Sequence, residues 1–240
     1  ILGFVVSKLG WVLGKIFKTS EVESFVAVAN MFLGQTDSPI LVSKYLNYMT
    51  DSEIMLVLVS GMGSMSVSII AGYAALGIPM EALLIASTLV PVGSVVISKI
   101  ICPQTEKVNE IGEVSMDRKG DNENVIDALS AGAMDGMQMA FAIGAALIAF
   151  ISMIALINGI LGTFGLSLEG ILSSILAPIE YLMGLDGPNS LKAGELLGSK
   201  LVLNEFVAYG KLAPILSTLD QRTALMLCIS LAGFANVGSI

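Results

Sequence analysis

The chain has 240 residues, 55% of them hydrophobic and only 13% charged, with a mean hydropathy of +0.84; a soluble domain carries about 25% charge, so the chain belongs in a lipid bilayer. Its formal net charge of −8 comes largely from one stretch holding Glu106, Glu110, Glu113, Asp117, Asp121, Glu123 and Asp127, which reads as a solvated loop; without a basic stripe, polymeric nucleic acid is a poor partner. Histidine is absent, so proton chemistry falls to carboxylates, and Cys102 and Cys228, in apolar runs without motif spacing, read as packing residues.

In chain order, residues 1–19 space Lys8, Lys15 and Lys18 among Leu, Val, Phe and Trp11, which suits an amphipathic helix lying at the membrane interface. Residues 20–100 form a first repeat. It opens on an apolar hairpin over 26–42, broken at a tip of Gly34-Gln35-Thr36-Asp37-Ser38-Pro39. The uncharged stretch 54–78 is long enough to cross a bilayer, which takes about 20 residues, but its middle is Ser60-Gly-Met-Gly-Ser-Met-Ser-Val-Ser68. After the Gly77-Ile78-Pro79 turn, 82–97 makes a second span softened by Pro91 and Gly93.

Residues 101–139 hold a polar loop over 102–124 and an interfacial helix over 125–139 with Asp127 and Asp135. Residues 140–162 supply a third, scaffold span over 140–160. A second repeat fills 163–240: a segment 171–185, too short and too interrupted by Pro178 and Glu180 for a full crossing, then a hairpin over 196–212 with its tip at Asn204-Glu205-Phe206. A polar link over 217–222 leads to an apolar segment containing Gly233-Phe-Ala-Asn-Val-Gly-Ser239. Neither end carries a terminal pattern, so the chain is expected to be the interior of a longer protein.

Hairpin, polar link and glycine-broken helix thus occur in that order at 26–70 and again at 196–240. Three spans between the two hairpins make the second enter from the opposite face, an inverted repeat of the kind that carriers use. The expected fold is an all-α membrane protein: an inverted repeat with two re-entrant hairpins, broken transmembrane helices and interfacial helices. Lys8, Lys15, Lys18, Lys44, Lys99, Lys107, Arg118 and Lys119 fall on one side and Lys192, Lys200, Lys211 and Arg222 on the other, so the open end of the first hairpin faces the cytoplasm.

A carboxylate at bilayer depth costs on the order of 2.5–3.5 kcal/mol, a large share of a typical ~5–15 kcal/mol stability, so Asp37 and Glu205 are expected to serve a ligand or an ion. Interrupted helices at that depth bring N–H donors and carbonyl oxygens to one cavity. Amides, hydroxyls and carboxylates at Gln35, Thr36, Asp37, Asn204, Glu205, Asn236 and Ser239 suit a neutral polyhydroxylated or heterocyclic solute. A plainer role exists for Asp37 as the cap of the next helix, and for Asn158 as a helix-helix hydrogen bond.

Leu33-Gly-Gln-Thr-Asp-Ser-Pro39, Asn204-Glu-Phe-Val-Ala-Tyr209 and Gly233-Phe-Ala-Asn236, with Ile157-Asn-Gly-Ile160 and Asn124-Val-Ile-Asp-Ala128, resemble the concentrative nucleoside transporters, the sodium/nucleoside symporters, across nearly the whole chain. The resemblance implies a site in which Gln35 and Thr36, beside Gly34 and helped by Asp37, hydrogen-bond the nucleobase, Ile69 and Phe234 pack on it, and Glu205, Asn236 and Ser239 hold the ribose hydroxyls. Asn30, Leu33, Ser64 and Met65 would ring one Na+, Leu33 and Met65 through their carbonyls. It further implies a uridine-like substrate, alternating access, a homotrimer and a bacterial inner membrane. Asp37 stands where the family often has Glu, one methylene longer, which leaves the base preference open. Asn30 favours sodium over the alternative of proton coupling at Asp37 or Glu205; the rivals from other classes are a channel and an intramembrane aspartyl protease with those two carboxyls as its dyad.

Overall fold

The computed structural model describes residues 2–33, 42–43, 45–108 and 124–236; Gly34, Gln35, Thr36, Asp37 and Ser239 lie outside the described residues. Among the described residues all regular structure is helical. Helix α1 (Leu2–Phe17) packs on α2 (Glu21–Ala29), and α3 (Asp51–Gly63) follows. Both α2 and α3 start with a capping box: the Ser20 hydroxyl accepts from the Glu23 N–H while the Glu23 carboxylate accepts from the Ser20 N–H, and Thr50 and Glu53 repeat the device. These reciprocal bonds satisfy two otherwise orphaned donors at each start.

The stretch 54–78 is interrupted in its middle, as the run of glycines and serines leads one to expect. Helix α3 stops at Gly63, three residues are non-helical, and α4 (Val67–Ala75) resumes. Glycines at 61 and 63 and the hydroxyls of Ser60, Ser64 and Ser66 weaken the helix there and offer the backbone other partners. Helix α5 (Met80–Ile101) exceeds the expected 82–97 and carries Pro91 inside it; by length and composition it can cross a bilayer.

Helix α6 (Val125–Gly162) corrects the expected boundary at 139/140. The interfacial helix and the scaffold span are one helix of 38 residues, about 57 Å long at 1.5 Å per residue. Asn124 caps its start through the Asp127 N–H, no proline lies within it, and isolated glycines are tolerated in a helix. Helix α7 (Leu168–Leu182) lies along α8 (Gly187–Val202), so the first arm of the second hairpin begins at Gly187, nine residues before the expected 196. Asp186 caps α8 through the Asn189 N–H and Pro188 sits in its first turn, a start signal. Helix α9 (Glu205–Leu212), a 3-10 turn (Ala213–Thr218) and α10 (Gln221–Ser230) complete the described chain.

Two cores flank α5. Val6 and Leu13 of α1, the apolar face of α2, Leu56 and Val57 of α3 and Val95 of α5 fill one. Ile70 and Tyr73 of α4, Ala82, Leu83 and Ala86 of α5, and buried residues of α8, α9 and α10, including Cys228, fill the other. The break at 64–66 is where the chain passes from one core to the other. Elsewhere Leu89, Ile97 and Ile100 on α5 and Phe141, Ile148 and Leu156 on α6 are exposed, more outward apolar surface than a soluble monomer presents.

Candidate functional site

The first half of the site is built where α2 ends. Asn30 is the C-cap of α2, fully buried, and its Nδ2 donates to the Ser60 hydroxyl of α3 at 2.8 Å. Two residues on, the Phe32 carbonyl accepts from the Val67 N–H at the start of α4, 3.2 Å away. Ser64, also fully buried, caps α3 and turns its hydroxyl back to the Gly61 carbonyl at 2.8 Å. Met65 is buried in the second core and Leu33 is half-buried. The structure therefore places Asn30 and Leu33 at the end of α2 and Ser64 and Met65 in the break after α3, two stretches tied by the Asn30–Ser60 and Val67–Phe32 hydrogen bonds beside the negative end of the α3 dipole.

The second half forms around the tip between α8 and α9. Asn204 caps α9 by accepting the Val207 N–H at 3.0 Å, which places Glu205 in the first turn, 4% exposed. The Tyr73 hydroxyl of α4 donates to Glu205 Oε1 at 2.8 Å, while Oε2 is buried with no donor among the described residues. Tyr73 also stacks at 4.8 Å between ring centroids on Tyr209, whose hydroxyl is fixed by the Cys228 carbonyl at 2.8 Å. Lys200 of α8 is 7% exposed and donates to the carbonyls of Ala232 at 2.6 Å and Ser230 at 3.4 Å, the unpaired C-terminal end of α10.

The break after α3 touches the non-helical stretch 231–236 after α10, where the sequence places the second break. The Ala235 N–H donates to the Met62 carbonyl at 3.1 Å, and Gly233, at φ +91°, passes over Gly63 so closely that a Cβ would stand 2.7 Å from its carbonyl oxygen. Polar contacts thus run from α2 through both breaks to Lys200, and from α4 through Tyr73 to Glu205. Phe234 and Asn236 lie in the second break, half-buried, the Asn236 amide donating to the Phe234 carbonyl at 3.0 Å; Ile69 is half-buried against the second core.

Sequence reasoning did not find Tyr73 or assign Lys200 a role. Lys200 carries a readable signal, a cation in the last turn of an apolar helix; Tyr73, one aromatic among several, carries none. Asn158 takes the plainer role: at the α6–α7 corner it donates to Glu169 and accepts the Leu168 N–H, each at 2.8 Å.

Comparison with known proteins agrees with this geometry. A family model described as the C-terminus of Na+ dependent nucleoside transporters matches residues 82–240, and one described as nucleoside recognition matches residues 1–80. The transporter YutK of Bacillus subtilis is 40% identical over 248 residues, covering 100% of this chain and 61% of YutK. The nucleoside permease NupC of Helicobacter pylori is 38% identical over 252 residues, with 100% and 60% coverage, and human solute carrier family 28 member 3 is 31% identical over 263 residues, with 100% and 38% coverage. The chain therefore spans about three fifths of the length of these bacterial relatives. Among solved structures, CNTnw in an inward-facing substrate-bound state superposes with a TM-score of 0.91 at 37% identity, over 99% of this chain and 59% of that one. A doubly substituted CNTnw in an outward-facing state gives 0.90 at 36% identity, over 99% and 60%. Relatives of this kind are transporters and permeases, which removes the protease alternative. A fold shared along nearly the whole chain, with the two family models together covering almost all of it, places this integral membrane protein in the Na+ dependent nucleoside transporter family.

Proposed function

We propose that this chain forms the ion and substrate sites of a sodium-coupled nucleoside symporter working by alternating access in a bacterial inner membrane, as a homotrimer. The observation that carries this reading is the meeting of both helix breaks at Met62 and Ala235, 3.1 Å apart, with the buried Glu205 carboxylate hung on Tyr73 beside them. Glu205, Asn236 and Ser239 hold the ribose, Ile69 and Phe234 flank the base, and Gly34, Gln35, Thr36 and Asp37 read its edge. The unpartnered Glu205 Oε2 supplies an acceptor for a ribose hydroxyl, and a carboxylate accepts from hydroxyls more strongly than a neutral group does.

Sodium prefers oxygen ligands, as hard cations do, and the junction of Asn30, Leu33, Ser64 and Met65 offers an amide, a hydroxyl and two backbone carbonyls. A cation there pulls the ends of α2 and α3 together. Because Met62 of α3 holds Ala235, the same contraction sets the second break, so each ligand favours the other. In this reading residues 1–19 are interfacial, the single helix α6 starts at the interface over 125–139 and continues as the scaffold span over 140–162, and the units over 20–100 and 163–240 are inverted repeats whose hairpins return to their own face.

The test is uptake of radiolabelled uridine by vesicles reconstituted with the full-length protein. An inward sodium gradient should drive accumulation above equilibrium and a proton gradient alone should not; accumulation that follows pH and ignores sodium would select the proton-coupled alternative.

A further inference from the structure

We propose that Glu180 is a proton-binding site, separate from Glu205, through which pH acts on the second hairpin. Ser173, Ala177 and Glu180 form the buried stripe of α7, at 9%, 6% and 0% exposure, a spacing of four and three that points one helical face at α8. Among the described residues the other buried carboxylates each accept from a donor, Glu23 from the Ser20 N–H, Glu53 from the Thr50 N–H and Glu205 from Tyr73, whereas both oxygens of Glu180 are buried without one.

The charged groups around it do not compensate it. On α8, Asp186 is engaged in capping and Lys192 and Glu195 are exposed. From the start of α10, Arg222 is exposed and donates to the Gly184 carbonyl at 3.1 Å. On α7 itself Glu169, at the opposite end, is taken by Asn158 and Lys211, and on α6 Asp127 is exposed at the start of the helix. Among the described residues no ion pair includes Glu180. A buried, uncompensated carboxylate is far less favourable than a neutral carboxyl group, so in this packing Glu180 holds a proton.

Losing that proton requires water or a cation at the carboxylate, and the helix pair leaves no slack for it. A Cβ on Gly194 of α8 would lie 2.7 Å from the Ser173 carbonyl oxygen and 2.9 Å from the Ala177 nitrogen, so α7 and α8 touch backbone to backbone one turn from Glu180. Ionisation therefore has to part α7 from α8. From Gly194, α8 (Gly187–Val202) runs six more residues, about 9 Å, to Lys200, which grips the second break, and leads on to the tip at Glu205. The proton on Glu180 holds the near end of the lever whose far end carries the candidate site.

The sign of the pH effect follows. A carboxyl group that stays protonated in the folded protein stabilises it at low pH, and that contribution is lost as pH rises from the ordinary carboxylate range through the folded value. The test uses the full-length protein in lipid vesicles, wild type against Glu180→Gln, whose amide mimics the protonated acid, with Glu180→Leu as a second variant should the amide fail to fold. Infrared spectra at neutral pH should show a protonated-carboxyl carbonyl band in the wild type that the variants lack. On alkaline titration that band should disappear, and the wild-type melting temperature should fall relative to that of the variants from the ordinary carboxylate range up to the pH at which the band is lost, then level off. Spectra that superimpose in the carboxyl region, or a melting-temperature difference constant with pH, would overturn the proposal. Uridine uptake measured alongside should fall with rising pH more steeply in the wild type than in Glu180→Gln. This arm alone rests on the transport function proposed above, and absence of uptake from every protein at every pH would count against that function while the infrared result stands.

Discussion

Gly233 lies directly over Gly63, backbone against backbone, with a φ of +91° that L side chains rarely adopt. This crossing locks the break after α3 to the stretch that follows α10, beside the Ala235–Met62 hydrogen bond. Gly233→Ala should therefore be among the most damaging single-methyl changes in the protein. The backbone conformation alone costs about 1–3 kcal/mol, and the overlap with the Gly63 and Met62 carbonyls adds to it. Since about 1.4 kcal/mol is a factor of ten, uridine uptake should drop at least about tenfold and the melting temperature should fall; a variant that keeps both would mean that the breaks do not need to touch.

Glu205 and Tyr73 should separate charge from positioning. Glu205→Gln keeps an acceptor for the Tyr73 hydroxyl but removes the charge proposed to hold a ribose hydroxyl, so binding should be lost while the fold survives. Tyr73→Phe leaves the carboxylate in place and strips one buried oxygen of its donor, a loss of about 1–3 kcal/mol, so uridine affinity should weaken by about tenfold or more with some residual uptake. Equilibrium binding to both purified variants checks the ranking, which fails if Tyr73→Phe proves the more severe.

Lys200 and Lys211 offer a contrast between a buried and a part-exposed cation on the same hairpin. Hydrogen bonds from a charged group are worth about 1.5–3 kcal/mol, and Lys200 makes two to the open end of α10. Lys211 donates to the Ser199 hydroxyl at 2.9 Å and reaches Glu169 at 3.6 Å, but from a side chain 39% exposed, where water competes and an ion pair contributes about 0–1 kcal/mol. Thermal denaturation should show a larger loss for Lys200→Met than for Lys211→Met; equal losses would contradict this account of how the hairpin is held.

Asn30 joins α2 to Ser60 of α3 at the proposed ion junction. Asn30→Ala should raise the sodium concentration for half-maximal uptake by about tenfold or more. Ser60→Ala, which removes only the hydroxyl that orients the amide, should raise it less. Sodium titrations of uptake measure both, and an unchanged sodium requirement in Asn30→Ala would move the ion elsewhere.

Much of this organisation is legible in the sequence because helix interruptions announce themselves chemically. Ser60-Gly-Met-Gly-Ser64 marks the first break and Asn204-Glu205 the second tip, since hydroxyls, amides and glycines stand where an apolar helix wants Leu and Ile. The early start of α8 was also written, as Asp186-Gly-Pro-Asn189, but the search for apolar runs passes over a capping signal followed by polar residues. The continuity of α6 was obscured because Asp127 and Asp135 suggest an interface, whereas a helix long enough to leave the bilayer can carry acids at one end. Lys200 on the Ala232 carbonyl, Tyr73 on Glu205 and the isolation of Glu180 are tertiary facts. Each depends on which helices meet, and one strand of sequence encodes that only through the whole fold.

The most direct test of the central claim, that two broken helices and a buried carboxylate form one shared ion and nucleoside site, is uridine binding to the purified full-length protein with and without sodium. Sodium should tighten binding in the wild type and Glu205→Gln should abolish it in either condition. Uridine bound equally well with and without sodium, or by Glu205→Gln as well as by the wild type, would contradict it.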